Sequence, residues 1–214
     1  MLGLQDLTLF ILSGLLLNMA PGPDSVLIMT RSATHGWRAG SAAALGIAAG
    51  TCVHVLAAAL GLSALLATSA WAFTLIKYLG AAYLIYLGLT MLLHRHRTQA
   101  ATAMHNHKPA PLSRRKIFTQ GFLSNALNPK VALFFLAFVP QFIAPDAPNK
   151  ALAFVVLGLI FNINSLLWCH ALALFTALAS RRLRLSARVA SGLNRGIGAL
   201  FLAFGVKLAL ARVA

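Results

Sequence analysis

Six stretches of the chain are long and apolar enough to cross a lipid bilayer as helices. The apolar slab of a bilayer is roughly 30 Å thick and needs about 20 apolar residues for each helical crossing. These six spans cover residues 4–30, 40–67, 71–93, 117–142, 151–180 and 193–210. Hydrophobic residues make up 59% of the 214 residues and charged residues only 10%, which lies outside the usual range of soluble domains. The sequence therefore predicts an all-α integral membrane protein with six transmembrane helices.

Basic residues are concentrated in the loops after spans one, three and five. Thirteen of the 18 lysines and arginines lie in these loops. They are Arg31, Arg38, Arg95, Arg97, Lys108, Arg114, Arg115, Lys116, Arg181, Arg182, Arg184, Arg188 and Arg195. Because cytoplasmic loops carry the excess of basic residues, we expect these loops inside the cell and both termini outside. The net charge of +15 therefore indicates a membrane topology and no nucleic-acid partner.

The two halves of the chain resemble each other. Span one contains Gly14-x3-Asn18-x2-Pro21, and span four contains Gly121-x3-Asn125-x3-Pro129. A second similarity pairs residues 77–86 in span three with residues 195–204 in span six. Each half holds three spans, an odd number, so the second half must enter the membrane from the opposite side. The pattern predicts two inverted three-helix repeats, residues 1–93 and 117–214, which are typical of transporters.

The segment 94–116 joins the two predicted repeats. It is basic and contains four histidines, which raises the question of a metal site. They are His94, His96, His105 and His107. Their irregular spacing and the low complexity of the segment favour a flexible cytoplasmic linker. We therefore expect neither a metal nor a cofactor.

Prolines interrupt two of the predicted spans near their centres. Span one contains Pro21-Gly22-Pro23, and span four contains Asn128-Pro129. Each proline lacks an N–H group and leaves a carbonyl one turn earlier without its helical donor. Simple proline kinks are one interpretation. Two broken helices at corresponding positions, with Asn18 and Asn125 close by, instead favour a binding site between them.

Two opposite charges follow the prolines at matching positions. Asp24 comes directly after Pro23, and Lys130 comes directly after Pro129. A charged group within a bilayer costs about 2.5–3.5 kcal/mol on insertion scales and so needs a partner or a function. One interpretation is an ion pair between the two side chains. The other is that Asp24 receives a substrate ammonium or a proton while Lys130 holds a carboxylate.

Span two carries a histidine and small residues. His54 is either a proton carrier or a buried neutral histidine bonded to a backbone carbonyl. Gly36, Gly40, Gly46 and Gly50 have the spacing that lets membrane helices approach closely, so we expect them to pack this span. Asn162, Asn164 and His170 in span five are similarly ambiguous, and their spacing does not place all three on one helical face.

These segments resemble the LysE/RhtB family of amino-acid exporters. The matching segments, in chain order, are Asn18-Met-Ala-Pro-Gly-Pro-Asp24, Gly36 to Gly50, Gly80-Ala-Ala-Tyr-Leu-Ile-Tyr-Leu-Gly88, and Gly121-Phe-Leu-Ser-Asn-Ala-Leu-Asn-Pro-Lys130 running on to Pro140-Gln-Phe142. The resemblance implies a non-enzymatic carrier in a bacterial inner membrane that exports amino acids or close derivatives, driven by protons, and it leaves a homo-oligomer possible. Carried over by position, the site residues are Asn18, Pro21, Gly22, Pro23, Asp24, Asn125, Asn128, Pro129 and Lys130. The candidates for proton coupling are Asp24 and His54, and His54 has no counterpart in the family pattern.

Two other functions fit a protein with three plus three helices. A transmembrane thiol or electron carrier needs two cysteines that meet near the membrane centre, and we expect Cys52 and Cys169 to lie away from the broken spans. A channel would line a continuous pore with the broken helices. An enzyme is disfavoured, because the sequence offers one acidic residue near the membrane interior and no paired acids or metal-ligand cluster.

Overall fold

The computed structural model describes residues 2–62 and 113–179, together with scattered helical positions between 71 and 89 and between 199 and 206. We refer to residues 2–62 as the N-terminal range and to residues 113–179 as the C-terminal range. Most of spans three and six and residues 94–112 of the predicted linker lie outside the described residues. The second internal similarity, between residues 77–86 and 195–204, also lies largely outside them.

Six α-helices run through the two ranges, and within them the structure shows no strand beyond an isolated bridge between Leu4 and Ile143. The helices are α1 Leu7–Met19, α2 Pro23–His35, α3 Trp37–Ala57, α4 Arg114–Ala126, α5 Pro129–Leu133 and α6 Lys150–Ala179. A π-helical turn, Ala58–Leu62, extends α3. A π-helical turn, Phe134–Phe138, and a 3₁₀ turn, Val139–Phe142, extend α5.

Two helices of the described ranges can each cross a membrane, and two bent pairs add one candidate span each. The straight ones are Trp37–Gly61, with 25 residues, and Lys150–Ala179, with 30 residues. The helices α1 and α2 meet at a bend of 58°, and α4 meets the Pro129–Phe142 segment at 45°. The predicted breaks in spans one and four are thereby confirmed. The described residues account for two spans, or for up to four if each bent pair is one span, and most of spans three and six lie outside them.

Several basic residues that were predicted in loops lie in helices instead. Arg31 belongs to α2, which continues to His35, and Arg38 belongs to the first turn of α3. Arg114 is the first residue of α4, where the Ser113 hydroxyl accepts a hydrogen bond from the Lys116 N–H. The predicted boundaries stopped at the first charge, but a helix can continue beyond the apolar slab of the bilayer into its polar surface layer.

Glycines bring α3 and α4 into backbone contact. A Cβ atom at Gly46 would collide with the carbonyl oxygen of Phe118, and one at Gly121 would collide with that of Ala43. A Cβ at Gly50 would lie 2.7 Å from the Phe122 oxygen. The predicted packing role is confirmed for Gly40, Gly46 and Gly50. It is wrong for Gly36, which has a φ of 82° and links α2 to α3 with nothing packed against it in the described residues.

The core divides into two clusters of different character. One cluster is aromatic and joins α1, the end of α3, the α5 segment and the start of α6 through Phe10, Phe134, Phe135, Phe154 and Phe161. The other is rich in alanine and joins α2, the start of α3, α4 and the end of α6. The two breaks lie where one cluster gives way to the other, because α1 and α5 belong to the first and α2 and α4 to the second.

Candidate functional site

The first break lies between α1 and α2, at residues 20–22. Pro21 has no N–H to offer to the carbonyl of Leu17, which stands one turn earlier. The Lys130 ammonium takes that position: its Nζ donates to the Leu17 oxygen at 3.1 Å and to the Ala20 oxygen at 3.0 Å. Gly22 lets the ammonium approach, since a Cβ there would lie 3.2 Å from Nζ. A side chain of the C-terminal range thus satisfies backbone groups freed in the N-terminal range.

The second break lies between α4 and α5, at residues 127–128. Pro129 cannot donate to the carbonyl of Asn125, and His54 of α3 donates to it instead, with its Nε2 at 2.9 Å. The same oxygen also accepts from the Asn128 N–H at 2.9 Å. The His54 ring lies nearly parallel to the Phe135 ring, at a centroid distance of 6.2 Å. The break is therefore held by a histidine fixed by stacking, as the carbonyl-bonded interpretation of His54 predicted.

Asp24, the second residue of α2, reaches across to the second break. Its Oδ1 accepts a hydrogen bond from Ser124 Oγ at 2.6 Å, and its Oδ2 accepts from Asn125 Nδ2 at 2.8 Å and Asn128 Nδ2 at 3.1 Å. An ionised carboxylate only accepts hydrogen bonds, so three donors suit its charged form. The position at the start of a helix also favours a negative charge.

The two charged side chains cross between the ranges in opposite directions and do not pair directly. Asp24 binds groups at the end of α4, and Lys130 binds groups at the end of α1. Within the described ranges no salt bridge joins them, although they interact electrostatically. The predicted ion pair is wrong as a direct contact, because each charge satisfies polar groups that the opposite break leaves exposed.

The asparagines of the two breaks differ in how far they are satisfied. Asn125 uses all its polar groups: its Oδ1 accepts from Thr51 Oγ1 at 3.1 Å while its Nδ2 donates to Asp24. Asn128 caps α5, accepting from the Lys130 N–H at 3.0 Å. Asn18 lies beside Leu17 in α1, and its Nδ2 is buried without a hydrogen-bond partner among the described residues. Buried polar atoms seldom stay unpaired in proteins.

An apolar cavity of about 420 Å³ adjoins the second break. It is lined by His54, Ala57, Ala58, Gly61, Ala132, Leu133, Phe135 and Leu136. His54 is the polar member of this lining, and it connects the cavity to Asn125 and so to the groups around Asp24. The cavity lies within the size range of small-molecule sites in proteins.

The polar residues of α6 mainly satisfy backbone carbonyls. Asn162 Nδ2 donates to the Ala48 oxygen at 3.1 Å, and Asn164 Nδ2 donates to the Ile11 oxygen at 3.0 Å. His170 Nδ1 lies 2.9 Å from the oxygen of Leu166, one turn earlier in the same helix. Asn162 and Asn164 therefore tie α6 to α3 and α1 and are not part of the Asp24 network.

Sequence reasoning missed Ser124 and Thr51. Both contact the network directly, Ser124 through Asp24 and Thr51 through Asn125. A membrane-helix serine or threonine usually bonds to its own backbone one turn earlier, and the Thr51 hydroxyl shares its one hydrogen between the Ile47 oxygen at 3.2 Å and Asn125 Oδ1 at 3.1 Å. The one available hint was position, since Ser124 directly precedes Asn125.

The two cysteines lie in different environments, and one of them lies closer to the site than expected. Cys52 is exposed on α3 and Cys169 is buried in α6, and both are free thiols. Cys169 belongs to the same buried cluster as Ile28 of α2 and Ile117 of α4, so its predicted distance from the broken helices is wrong. The described ranges contain no group of three or more histidine, cysteine or acidic side chains that could hold a metal ion.

The similarity to known proteins covers nearly the whole chain. The LysE type translocator family model matches residues 15–212. An uncharacterized membrane protein of Pseudomonas aeruginosa is 36% identical over 213 residues, covering 98% of this chain and 97% of that protein. A homoserine/homoserine lactone efflux protein of Salmonella typhi is 32% identical over 209 residues, with 95% of each chain covered. No solved structure matches the chain.

Proposed function

This chain belongs to the LysE type translocator family, and on that basis we propose that it exports amino acids or close derivatives across a bacterial inner membrane. The compounds named for the Salmonella relative, homoserine and homoserine lactone, are the first candidates. In this proposal six spans form two inverted repeats, with both termini in the periplasm and the basic loops in the cytoplasm.

The observation that carries the proposal is the reciprocal contact between the two breaks. Asp24 from one range and Lys130 from the other each hold polar groups at the opposite break. Transporters built from inverted repeats bind substrate at the repeat interface, between discontinuous helices, and rock one repeat against the other. Contacts of this kind must break when the repeats move apart and can be replaced by a substrate that carries both charges.

We place the substrate between α1–α2 and α4–α5. Its carboxylate takes the place of Asp24 on the amides of Asn125 and Asn128 and attracts Lys130, while its ammonium lies near Asp24. The buried Nδ2 of Asn18, which lacks a partner among the described residues, supplies a further donor for a substrate oxygen. Pro21, Gly22, Pro23 and Pro129 act through the backbone, by keeping the helices open at this level.

We further propose that a proton drives export through Asp24. Protonation from the periplasmic side neutralises the carboxylate and weakens its attraction for the substrate ammonium, which favours release outside. His54 lies next to this network but donates to a backbone oxygen, which cannot pass a proton on as a side chain can. We therefore assign the coupling role to Asp24 first and keep His54 as the second candidate.

The test is efflux of L-homoserine, L-homoserine lactone, L-threonine and L-lysine from preloaded proteoliposomes, with and without an imposed pH gradient. We expect saturable efflux of one or a few of these compounds, accelerated by the gradient. Asp146→Asn is the matched control, because it removes an exposed acidic residue outside the network. Its efflux should equal that of the unaltered chain.

Other outcomes separate the alternatives. Efflux that does not saturate and ignores the gradient would indicate a channel. No efflux of any amino acid would contradict the exporter. A thiol carrier would instead lose its activity when Cys52 and Cys169 are both replaced by alanine, whereas we expect that double variant to export normally.

A further inference from the structure

The oxygens of Leu17 and Ala20 bind a primary ammonium in this structure, and that ammonium belongs to the protein itself. Lys130 Nζ lies 3.1 Å and 3.0 Å from the two oxygens. Both carbonyls stand at the C-terminal end of α1, where the helix dipole places partial negative charge. Asp24 adds a full negative charge nearby without contacting Nζ directly. The site therefore has the composition that a small organic cation with N–H donors requires.

The site exists because of the local sequence. Pro21 deprives the Leu17 oxygen of its helical donor, and the extended backbone at Gly22 turns the chain away from α1. The missing side chain at Gly22 leaves room for a cation, since a Cβ would lie only 3.2 Å from the Lys130 nitrogen. These two carbonyls thus depend on a flexible side chain, and a different ammonium can take its place.

We infer that the Leu17 and Ala20 carbonyls form the ammonium subsite of the transporter, that Lys130 occupies it when no substrate is bound, and that a substrate ammonium displaces Lys130. The inference rests on the proposed function and refines it, since it assigns the ligands of the ammonium. The displaced Lys130 is then available for a substrate carboxylate.

We therefore expect the substrates to be primary ammonium compounds, with or without a carboxylate. The printed name of the Salmonella relative pairs homoserine with its lactone. The lactone has no free carboxylate, and what the two compounds share is the α-ammonium group. A subsite made of carbonyl oxygens binds this ammonium group. N-acetylation, which removes the charge and two N–H donors, should abolish recognition.

The first experiment probes the subsite without any amino acid. In Lys130→Ala, n-propylammonium has the same atoms as the removed part of the side chain, from Cγ to Nζ. We expect it to raise the unfolding temperature of the purified full-length variant by about 2–4 °C at several times its Kd. The unaltered chain, whose subsite is filled, should not respond. Tetramethylammonium has no N–H donor and should stabilise neither protein, and Lys116→Ala should behave as the unaltered chain.

The second experiment uses Lys130→Met, which keeps the length of the side chain if the alanine variant fails to fold. Lys130 competes with substrate for the subsite, so the apparent affinity for substrate is reduced to the fraction of molecules whose subsite is empty. Removing the Lys130 ammonium restores the full affinity. We expect L-homoserine lactone to bind about tenfold more tightly to this variant than to the unaltered chain, and N-acetyl-L-homoserine lactone to bind to neither. Weaker lactone binding, or equal binding of the acetylated compound, would overturn the inference.

The two proposals fail separately. Stabilisation of Lys130→Ala by n-propylammonium, combined with no amino-acid efflux by the unaltered chain, would support the subsite and contradict the exporter. Efflux by the unaltered chain, combined with no stabilisation by n-propylammonium and no gain in lactone affinity, would support the exporter and contradict the subsite.

Discussion

The two breaks arise from the same local chemistry, but different groups satisfy the carbonyl oxygens that they free. In each, a proline removes the donor of a carbonyl one turn earlier, and a nitrogen from the other range replaces it. At the second break the oxygen of Asn125 has two donors, His54 and the backbone of Asn128. At the first break the Leu17 oxygen is held by Lys130, and Asn18 has a buried donor without a partner in the described ranges.

This difference indicates that the second break is a fixed scaffold and that the first break is the ligand site. The second break is capped, stacked against Phe135 and packed against the glycine face of α3. The first break is held by the side chain of Lys130, whose contacts with the two carbonyl oxygens a substrate ammonium can replace. We expect substrate to replace contacts of the backbone oxygens at the first break, whereas at the second break only the side-chain amides exchange partners and the backbone stays fixed.

We expect the largest effect on efflux from replacing Asp24, whose carboxylate joins the two breaks. Asp24→Asn presents an amide to the donors of Asn125 and Asn128 and removes the charge. The amide neither attracts the substrate ammonium nor takes up the proton. One hydrogen bond to a charged group contributes about 1.5–3 kcal/mol, so losing the carboxylate's attraction for the ammonium corresponds to a fall in gradient-driven efflux of about 10- to 100-fold. Proteoliposome efflux measures this. Full proton-driven efflux by Asp24→Asn would refute the coupling role.

Gly14 and Gly121 occupy corresponding positions before the two breaks, and they differ in what packs against them. A Cβ at Gly121, near the second break, meets the backbone oxygen of Ala43, whereas one at Gly14, near the first, meets the Phe161 ring edge at 3.1 Å. We expect Gly121→Ala to lower the free energy of unfolding by about 3 kcal/mol. Gly14→Ala should change it by less than about 1 kcal/mol, because alanine also improves helix propensity. Chemical unfolding in detergent compares the two, and equal losses would remove the distinction.

The smallest expected effect concerns the histidine of the second break. His54→Leu removes one of the two donors to the Asn125 oxygen and should lower the free energy of unfolding by about 1 kcal/mol. His54→Gln keeps a donor and serves as the matched control. If His54 instead carries protons for export, both variants will lose gradient-driven efflux, with a loss well beyond their effect on stability.

Much of the site was predictable because its causes are local. Proline cannot donate a hydrogen bond in any context, so the positions of both breaks follow from the sequence. The charges and amides beside the prolines were predicted to converge, and the structure brings Asp24, Asn125 and Asn128 into direct contact.

The partners were not predictable, because they depend on how the helices bend and pack. A direct pair of Asp24 and Lys130 was the simplest expectation, but bends of 58° and 45° direct each charge to the opposite break. The hydroxyl of Ser124 joined the network for the same reason. Helix ends were also missed, since α2 continues past Arg31 to His35.

Hydrogen–deuterium exchange of the reconstituted protein, with and without saturating L-homoserine, tests whether substrate rearranges the backbone at the first break alone. It follows peptides that cover residues 14–26 at the first break and 121–133 at the second. We expect homoserine to change backbone amide exchange at the first break and to leave the second break unchanged. A change confined to the second break, or none at either break while the same preparation exports homoserine, would contradict the assignment of the first break as the ligand site.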